Sequence, residues 1–346
     1  MRYNVCVDGS DVKICDCTLR DGGYQNDWNF GAAVARGVVS DLLRADCDFV
    51  EVGFMRAFSS DFDKTLFGSF PDINRVLPEN AEKSRLLTMI DVNKFDADSV
   101  CDVQNAPVGG IRVIFKKKDA KKGLEFCKTV KNKGFSLFVN PTFVNEYSSS
   151  ELAELASKIN EIAPFAFSVV DSQGALKDDD ILRIYNEFDA KISPNTAVCF
   201  HLHDNLNYSS INVTALTGAA KNRKIIVDTS LSGVGRGAGN LDTVVLAEFF
   251  NKSLAKNYDV EILKNLCKNV INPIMEDFLP KHKMHWYLAA FNGCHPDYAG
   301  FLAEKGVNVS DDVNDILKRI PPSEKFVFDK KLIEKIYTDF LADSRR

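Results

Sequence analysis

Short apolar runs alternate with helix-length amphipathic segments through the first three quarters of the chain. The runs at residues 12–19, 48–54, 85–92, 110–116, 136–142, 166–172, 198–204 and 224–230 are rich in Val, Ile, Leu and Phe and predict eight strands. Segments 32–44, 95–104, 119–131, 149–162, 178–187, 208–220 and 241–252 carry apolar residues at helical spacing and predict the helices between them. Ser149-Ser150-Glu151 and Lys177-Asp178-Asp179-Asp180 supply helix-start chemistry. Eight β-α alternations within roughly 250 residues match a (β/α)8 barrel in count and length. An open doubly wound sheet explains the alternation but not the count. The strands are apolar along their length, as a sheet covered on both faces requires. After about residue 255 the pattern becomes helical only, at 261–270, 274–279, 285–291, 298–305, 311–319 and 330–342. These segments are punctuated by Pro273, Pro280, Pro296, Gly306 and Pro321-Pro322. The expected organisation is an α/β TIM-barrel catalytic domain over 1–255, with a helical appendage over 256–346 packing on it.

Catalytic groups of such barrels stand at the C-terminal ends of the strands. Polar residues gather at those positions here. Arg20 and Asp21 follow strand one, and Glu51 is late in strand two. Asn140 and Thr142 follow strand five, Asp171 and Ser172 strand six, His201, His203 and Asp204 strand seven, and Asp228 and Thr229 strand eight. Asn140, Thr142 and Ser172 are therefore candidates for holding substrate. His201 and His203, two apart on a strand, point to the same side. Closure of the barrel brings strands one and seven near each other, so Asp21 can complete a three-ligand, open-sided metal site. One carboxylate and two imidazoles suit Mn²⁺, Mg²⁺, Co²⁺ or Zn²⁺. A chelating 2-oxo acid favours Mn²⁺ or Mg²⁺, which retain exchangeable water. Such an ion polarises the ketone and stabilises the enolate formed when an adjacent C–C bond breaks, and the neighbouring Arg20 guanidinium adds fixed positive charge. Taken singly, Arg20-Asp21 is equally an ion pair at a strand end, and histidines spaced like His201 and His203 are somewhat more often packed side chains than ligands. Their joint placement favours the metal.

Three motifs in this order resemble the DRE-TIM metallolyase superfamily: Asp16-Cys17-Thr18-Leu19-Arg20-Asp21-Gly22, His201-x-His203, and Gly233-Val234-Gly235-Arg236-Gly237-Ala238-Gly239-Asn240. That group includes 3-hydroxy-3-methylglutaryl-CoA lyase, isopropylmalate and homocitrate synthases, and 4-hydroxy-2-oxovalerate aldolase. The resemblance covers about residues 13–247. It implies a divalent metal on Asp21, His201 and His203, Asn240 ligating or supporting it, and Arg20 steadying the enolate. Length and the C-terminal helices resemble the aldolase branch most. His285-Trp286-Tyr287-Leu288-Ala289-Ala290-Phe291 resembles the aldolase segment that carries a tyrosine to the active site, which makes Tyr287 a candidate proton donor. The aldolases have a histidine three residues after the metal aspartate, and here that residue is Tyr24. A phenol with a pKa near ~10 is a poorer base at neutral pH, so His285 or metal-bound water is the other candidate. The expected activity is metal-dependent cleavage or formation of a 4-hydroxy-2-oxo acid, from a 2-oxo acid and an aldehyde. A Claisen-type acyl-CoA enzyme of the same superfamily is the alternative, and a non-catalytic barrel subunit the second.

Composition narrows this further. The 346 residues carry 43 Lys plus Arg against 48 Asp plus Glu, a net charge of -5, which disfavours nonspecific nucleic-acid binding. No apolar stretch is long enough to span a membrane, and Met1-Arg2-Tyr3-Asn4-Val5-Cys6 lacks a signal-peptide core. Nine cysteines without a CxxC pair are expected as small buried hydrophobes in a reducing cytoplasm, although Cys15-x-Cys17 offers a chelating pair. We expect a homodimer through the apolar helical tail, with a partner enzyme consuming the aldehyde. The glycine run after strand eight suits close approach to the metal or a phosphate cradle better than a dinucleotide. Lys116-Lys117-Lys118 leaves strand four at the catalytic end. It is expected as a solvated face, with Lys116 placed to attract an anion. The segment 56–70, with Phe58, Phe62, Phe67 and Phe70, is expected as a lid or a specificity loop, or else as packing for the C-terminal helices.

Overall fold

A computed structural model describes residues 11–57, 61–220, 223–276, 283–307 and 310–343; the N-terminal hexapeptide and Phe58 lie outside this set. Eight parallel strands form the wall: β1 (Val12–Asp16), β2 (Phe49–Met55), β3 (Leu86–Asp91), β4 (Gly110–Phe115), β5 (Ser136–Pro141), β6 (Ala166–Asp171), β7 (Ala197–Leu202) and β8 (Ile225–Thr229). Each pairs with the next, and β1 closes the ring. It pairs with β2 through Cys15 and Phe49 and with β8 from Val12–Ile225 to Asp16–Thr229. The expected closed barrel is what the chain forms. The two residues Leu66–Phe67 add a short parallel edge beside β2.

Strand alternation divides the side chains. Val12, Ile14, Val198 and Phe200 face the helices, whereas Cys15, Phe49, Leu87, Phe138, Ala197, Cys199 and Ile226 fill the barrel interior. Two residues further along the interior rows come Glu51, Asn140, His201 and Asp228. The inner layer therefore turns from apolar to charged toward the C-terminal end. The wall is covered by α1 (Ala32–Arg44), α2 (Ala120–Asn132), α3 (Ser149–Ile162), α4 (Asp178–Asp189), α5 (Ser209–Ala219) and α6 (Thr243–Leu254). A capping box starts α3: Ser148 Oγ accepts from Glu151 N–H, and Glu151 Oε2 accepts from Ser148 N–H.

Two elements depart from expectation. Segment 95–104 is not an α-helix but two 3-10 turns, Ala97–Ser99 and Val103–Asn105. Asp96 accepts from Asp98 N–H, and Val100 and Asp102 lie extended between the turns. Strand one ends at Asp16, and Thr18–Asp21 is a helical turn. The Asp16 carboxylate accepts from Thr18 N–H at 2.9 Å, and Arg20 and Asp21 N–H both donate to Cys17 C=O. A local side-chain acceptor thus diverts the backbone out of the strand. In segment 56–70, Phe67 and Phe70 are buried in the barrel core and Phe62 is exposed.

After α6, α7 (Val260–Leu266), Ile271 and Met275 still pack into the barrel core. A separate core forms between α8 (Lys283–Phe291), α9 (Pro296–Glu304), α10 (Ser310–Lys318) and α11 (Lys330–Asp343), around Tyr298, Leu302, Ile316 and Ile333. This bundle reaches the barrel through Phe143, which stacks on His295, and through an Arg236–Asp297 ion pair. No helix among the described residues is long and apolar enough to cross a membrane. The eight described cysteines are free.

Candidate metal centre

The helical turn after β1 aims Asp21 across the barrel mouth at the end of β7. Asp21 Oδ1 lies 3.8 Å from His201 Nε2, and Oδ2 lies 3.6 Å from His203 Nε2. One donor atom from each of the three side chains falls within 4.8 Å of the other two. The far nitrogen of each imidazole faces an acceptor oxygen. His201 Nδ1 is 3.0 Å from Asp228 Oδ2, and His203 Nδ1 is 2.8 Å from the Asp171 carbonyl. The His203 hydrogen bond puts the proton on Nδ1 and leaves the Nε2 lone pair to face an ion; the Asp228 charge beside His201 Nδ1 favours the same tautomer electrostatically, without hydrogen-bond geometry. His203 Nε2 is buried with no hydrogen-bond partner, as expected of a ligand atom. Burial lowers the His201 pKa despite Asp228 and Asp21, so the ring is a neutral donor. Burial also opposes the Asp21 charge, but Arg20, His203 and His201 outweigh it and hold the carboxylate well below its usual range. The donor set fits a divalent cation. Cys15 and Cys17 do not join it: Cys15 faces Arg112, and Cys17 Sγ donates to the Thr229 carbonyl.

Asn240 adjoins this group. Its Nδ2 donates to Asp21 Oδ2 at 2.8 Å and to the Val234 carbonyl, and its Oδ1 is buried without a partner. The glycine run makes this approach feasible. A Cβ on Gly235 would stand 2.3 Å from Asn240 Nδ2 and 2.7 Å from Asp21 Oδ2, so the run serves close approach.

Arg20 Nε donates to Glu51 Oε2 at 2.9 Å and Nη1 to Asp21 Oδ1, while Nη2 is buried and unpartnered. Burial disfavours the guanidinium charge, but Glu51 and Asp21 outweigh it and keep Arg20 protonated. Beneath lies Arg112, wholly buried, which binds Asp228, Glu51 (3.3 Å) and the thiols of Cys15 and Cys199. Turned to satisfy both groups, the Asn140 amide oxygen accepts from Arg112 Nη2 at 3.0 Å. A charged chain therefore runs Arg20–Glu51–Arg112–Asp228–His201.

A cavity of about 400 Å³ opens above these groups, and Arg20, Asp21, Tyr24, Asn140, Thr142, Ser172, His201 and His203 all line it. Ser172 Oγ accepts from Phe143 N–H, and Thr142 Oγ1 donates to the Phe115 carbonyl. Tyr24 stands beside Trp28 with the Arg236 guanidinium over its ring. Tyr24 is 40% exposed at the cavity, and its hydroxyl, with an ordinary pKa near ~10, is a phenol able to donate at neutral pH.

Tyr287 and His285 are not brought to this cavity. Tyr287 is exposed on α8 and stacks on Phe291, one turn on, while His285 Nε2 faces the Val307 carbonyl inside the helical bundle. The bundle docks through the start of α9 instead. His295, at the N-cap of α9, lines the cavity, stacks on Phe143 and Phe328, and has Nε2 3.0 Å from Arg236 Nη2. Burial and Arg236 push its pKa down to about 3. A charged residue in the middle of the apolar β4 run is the signal that marks Arg112. His295, Asp297 and Arg236 carry no comparable signal, because their meeting depends on how the bundle docks.

A family model described as HMGL-like matches residues 111–269. A protein of Rhodococcus jostii (strain RHA1) named 4-hydroxy-2-oxovalerate aldolase 6 is 22% identical over 89% of this chain and 87% of its own length. Among solved structures, the HMG-CoA lyase of Bacillus subtilis has a TM-score of 0.64 at 15% identity, covering 82% of this chain and 98% of that one. The N-terminal domain of a Bacteroides vulgatus protein gives 0.71 at 24%, covering 86% and 98%. These likenesses are to HMGL-like lyases and aldolases, and the solved structures share the closed barrel.

Proposed function

We propose that this chain is a divalent-metal-dependent carbon–carbon lyase that cleaves or forms a 4-hydroxy-2-oxo acid, exchanging it with pyruvate and an aldehyde. The observation that carries this reading is the convergence of Asp21, His201 Nε2 and His203 Nε2 beside the unpartnered Nη2 of Arg20, in one cavity. The relatives named as 4-hydroxy-2-oxovalerate aldolases support the same class. When bound, Mn²⁺ or Mg²⁺ would polarise the 2-oxo acid and stabilise charge developing on its oxygen. Asp21, His201 and His203 would hold it, with the free Asn240 Oδ1 beside them.

The rest falls to the chain's own side chains. In cleavage the C3–C4 bond breaks and its electron pair passes to the 2-oxo unit. The 4-hydroxyl gives its proton to water in the open cavity as the aldehyde forms, and C3 later takes one up from water, so protons balance over the turnover. Arg20 is fixed on two sides by Glu51 and Asp21, so its Nη2 is aimed without reorganisation at an oxygen gaining charge. Tyr24 offers a hydrogen-bond donor, while His295 shapes the cavity wall, its ring nitrogens facing Asp297 N–H and the Arg236 guanidinium. Asn140, Thr142 and Ser172 line the cavity where the 2-oxo acid is held.

The test is pyruvate release from a panel of 4-hydroxy-2-oxo acids, with and without added Mn²⁺ or Mg²⁺. Metal-dependent release is expected from at least one member. Release from none, with metal bound, would refute the reading.

A further inference from the structure

The cavity also carries positive charge that the chemistry above does not use. Lys94 and Lys116 line the same cavity as the metal-ligand candidates. Lys94 also lines an adjoining open groove of about 840 Å³ with Arg56 and Lys122. The three groups nearest the cavity are weakly neutralised. Lys94 Nζ is 3.7 Å from Asp91 Oδ2. Among the described residues, neither Arg56 nor Lys116 has a carboxylate within 4.0 Å. The Arg56 guanidinium lies against Trp28 (4.6 Å) and Phe54 (5.2 Å), and its Nε is buried without a hydrogen bond. The carboxylates on the other walls are already engaged: Asp21 by Arg20 and Asp297 by Arg236.

Like charges gathered at a partly desolvated site repel one another. Burial and the charges of Arg56 and Lys116 together lower the Lys94 pKa. Such crowding weakens the fold unless something compensates, and an anion placed among the three cations would do so. The lining between them and the metal-ligand candidates includes Met89, Ile114 and Phe115, which suits a short carbon chain joining a reacting centre to a charged end.

We propose that the aldehyde half of the substrate carries an anionic group, a carboxylate or a phosphate, at the end remote from the reacting carbon, and that Lys94 and Lys116, with Arg56 behind them, receive it. This inference rests on the aldolase reading, and it separates this chain from an enzyme that handles small neutral aldehydes. A charge-assisted hydrogen bond contributes about 1.5–3 kcal/mol, or about ten- to a hundredfold in binding.

The experiment compares 4-hydroxy-2-oxo acids ending in methyl, carboxylate or phosphate, using the Mn²⁺-loaded full chain. For at least one anionic substrate, kcat/KM is expected to exceed that of the methyl compound by about tenfold or more. The gain should come through KM and shrink as ionic strength rises. Which anionic arm gains tells carboxylate from phosphate. Lys94→Met and Lys116→Met keep the alkyl stems and should lower the anionic-to-neutral ratio, and Lys116→Glu should lower it further. A ratio at or below one, or a ratio unmoved by these variants, overturns the inference. Metal-dependent exchange of the pyruvate methyl protons for deuterium, followed by NMR without any aldehyde, tests the underlying reading separately. Exchange with no anionic preference leaves the aldolase and removes the anion site. No exchange and no pyruvate release remove both.

Discussion

Replacing Arg112 by Met tests whether the buried charged chain beneath the cavity acts through charge or only through packing. Arg112 is enclosed by the barrel, bonded to Asp228 and 3.3 Å from Glu51 Oε2. At an effective dielectric near 20, charges ~3.3 Å apart attract by about 5 kcal/mol, much of it offset by the cost of burying both. Removing one partner leaves the other side of that balance uncompensated, and buried pairs broken this way lose about 3–5 kcal/mol. A domain has about 5–15 kcal/mol in total, so Arg112→Met should still fold but with a much lower urea midpoint at pH 7.5. The pH dependence separates charge from volume. In the parent, burial opposes the Asp228 charge, but Arg112 and His201 outweigh it and depress the pKa. That contribution is present above the unfolded value near ~3.9 and is lost as pH falls through the folded one. Without Arg112 the Asp228 pKa moves above its unfolded value, so its cost is greatest at neutral pH and is relieved on acidification. The deficit between parent and variant should therefore narrow from pH 7.5 to pH 5. A deficit below about 1 kcal/mol, or one equal at both pH values, would refute the electrostatic account, because a packing defect does not titrate.

Asp16 gives the opposite sign. Burial raises its pKa to about 6 although Thr18 N–H and Thr243 Oγ1 both donate to it. Stability present below the unfolded value near ~3.9 is thus lost as pH rises through about 6, by about 3 kcal/mol in all. Asp16→Asn should raise the melting temperature at pH 7, since Thr243 can turn its proton to Thr229 Oγ1, 2.9 Å away, and accept from the new amide; an unchanged or lower value would contradict this. Asp228→Asn removes the charge beside His201 Nδ1, and calorimetry should find Mn²⁺ bound about 10–100-fold more weakly. Arg20→Lys gathers its three N–H donors on one nitrogen, which cannot span Glu51 and Asp21 and also reach the place of Nη2. Pyruvate release should fall about 100-fold or more with Mn²⁺ affinity largely kept, and equal loss of both would recast Arg20 as a support of the metal site.

The strand series was legible because a covered parallel sheet demands unbroken apolar runs, and the count of eight implied closure. Closure then placed His201 and Asp21 together, since both flank β8. The strand alternation that turns Cys199 inward also turns His201 inward. The turn that orients Asp21 was not legible: Asp16 ends β1 early by bonding to Thr18 N–H, a choice between two local hydrogen-bond schemes that periodicity does not register. Tyr287 shows a deeper limit. Its motif suggested an active-site tyrosine, but α8 packs Ala289 inward and leaves Tyr287 outside, and His295 fills the cavity wall.

What the chain determines by itself is local and periodic: which segments are strands, which side of each faces inward, and hence which residues ring the barrel mouth. What only tertiary structure decides is the meeting of segments far apart in sequence without a shared lattice. Arg236 with Asp297 and His295 with Phe143 are of that kind. A barrel dictates its own register through hydrogen bonding around a closed ring. Docking of a helical bundle on that barrel follows from side-chain packing and a few ion pairs, which no periodic pattern encodes.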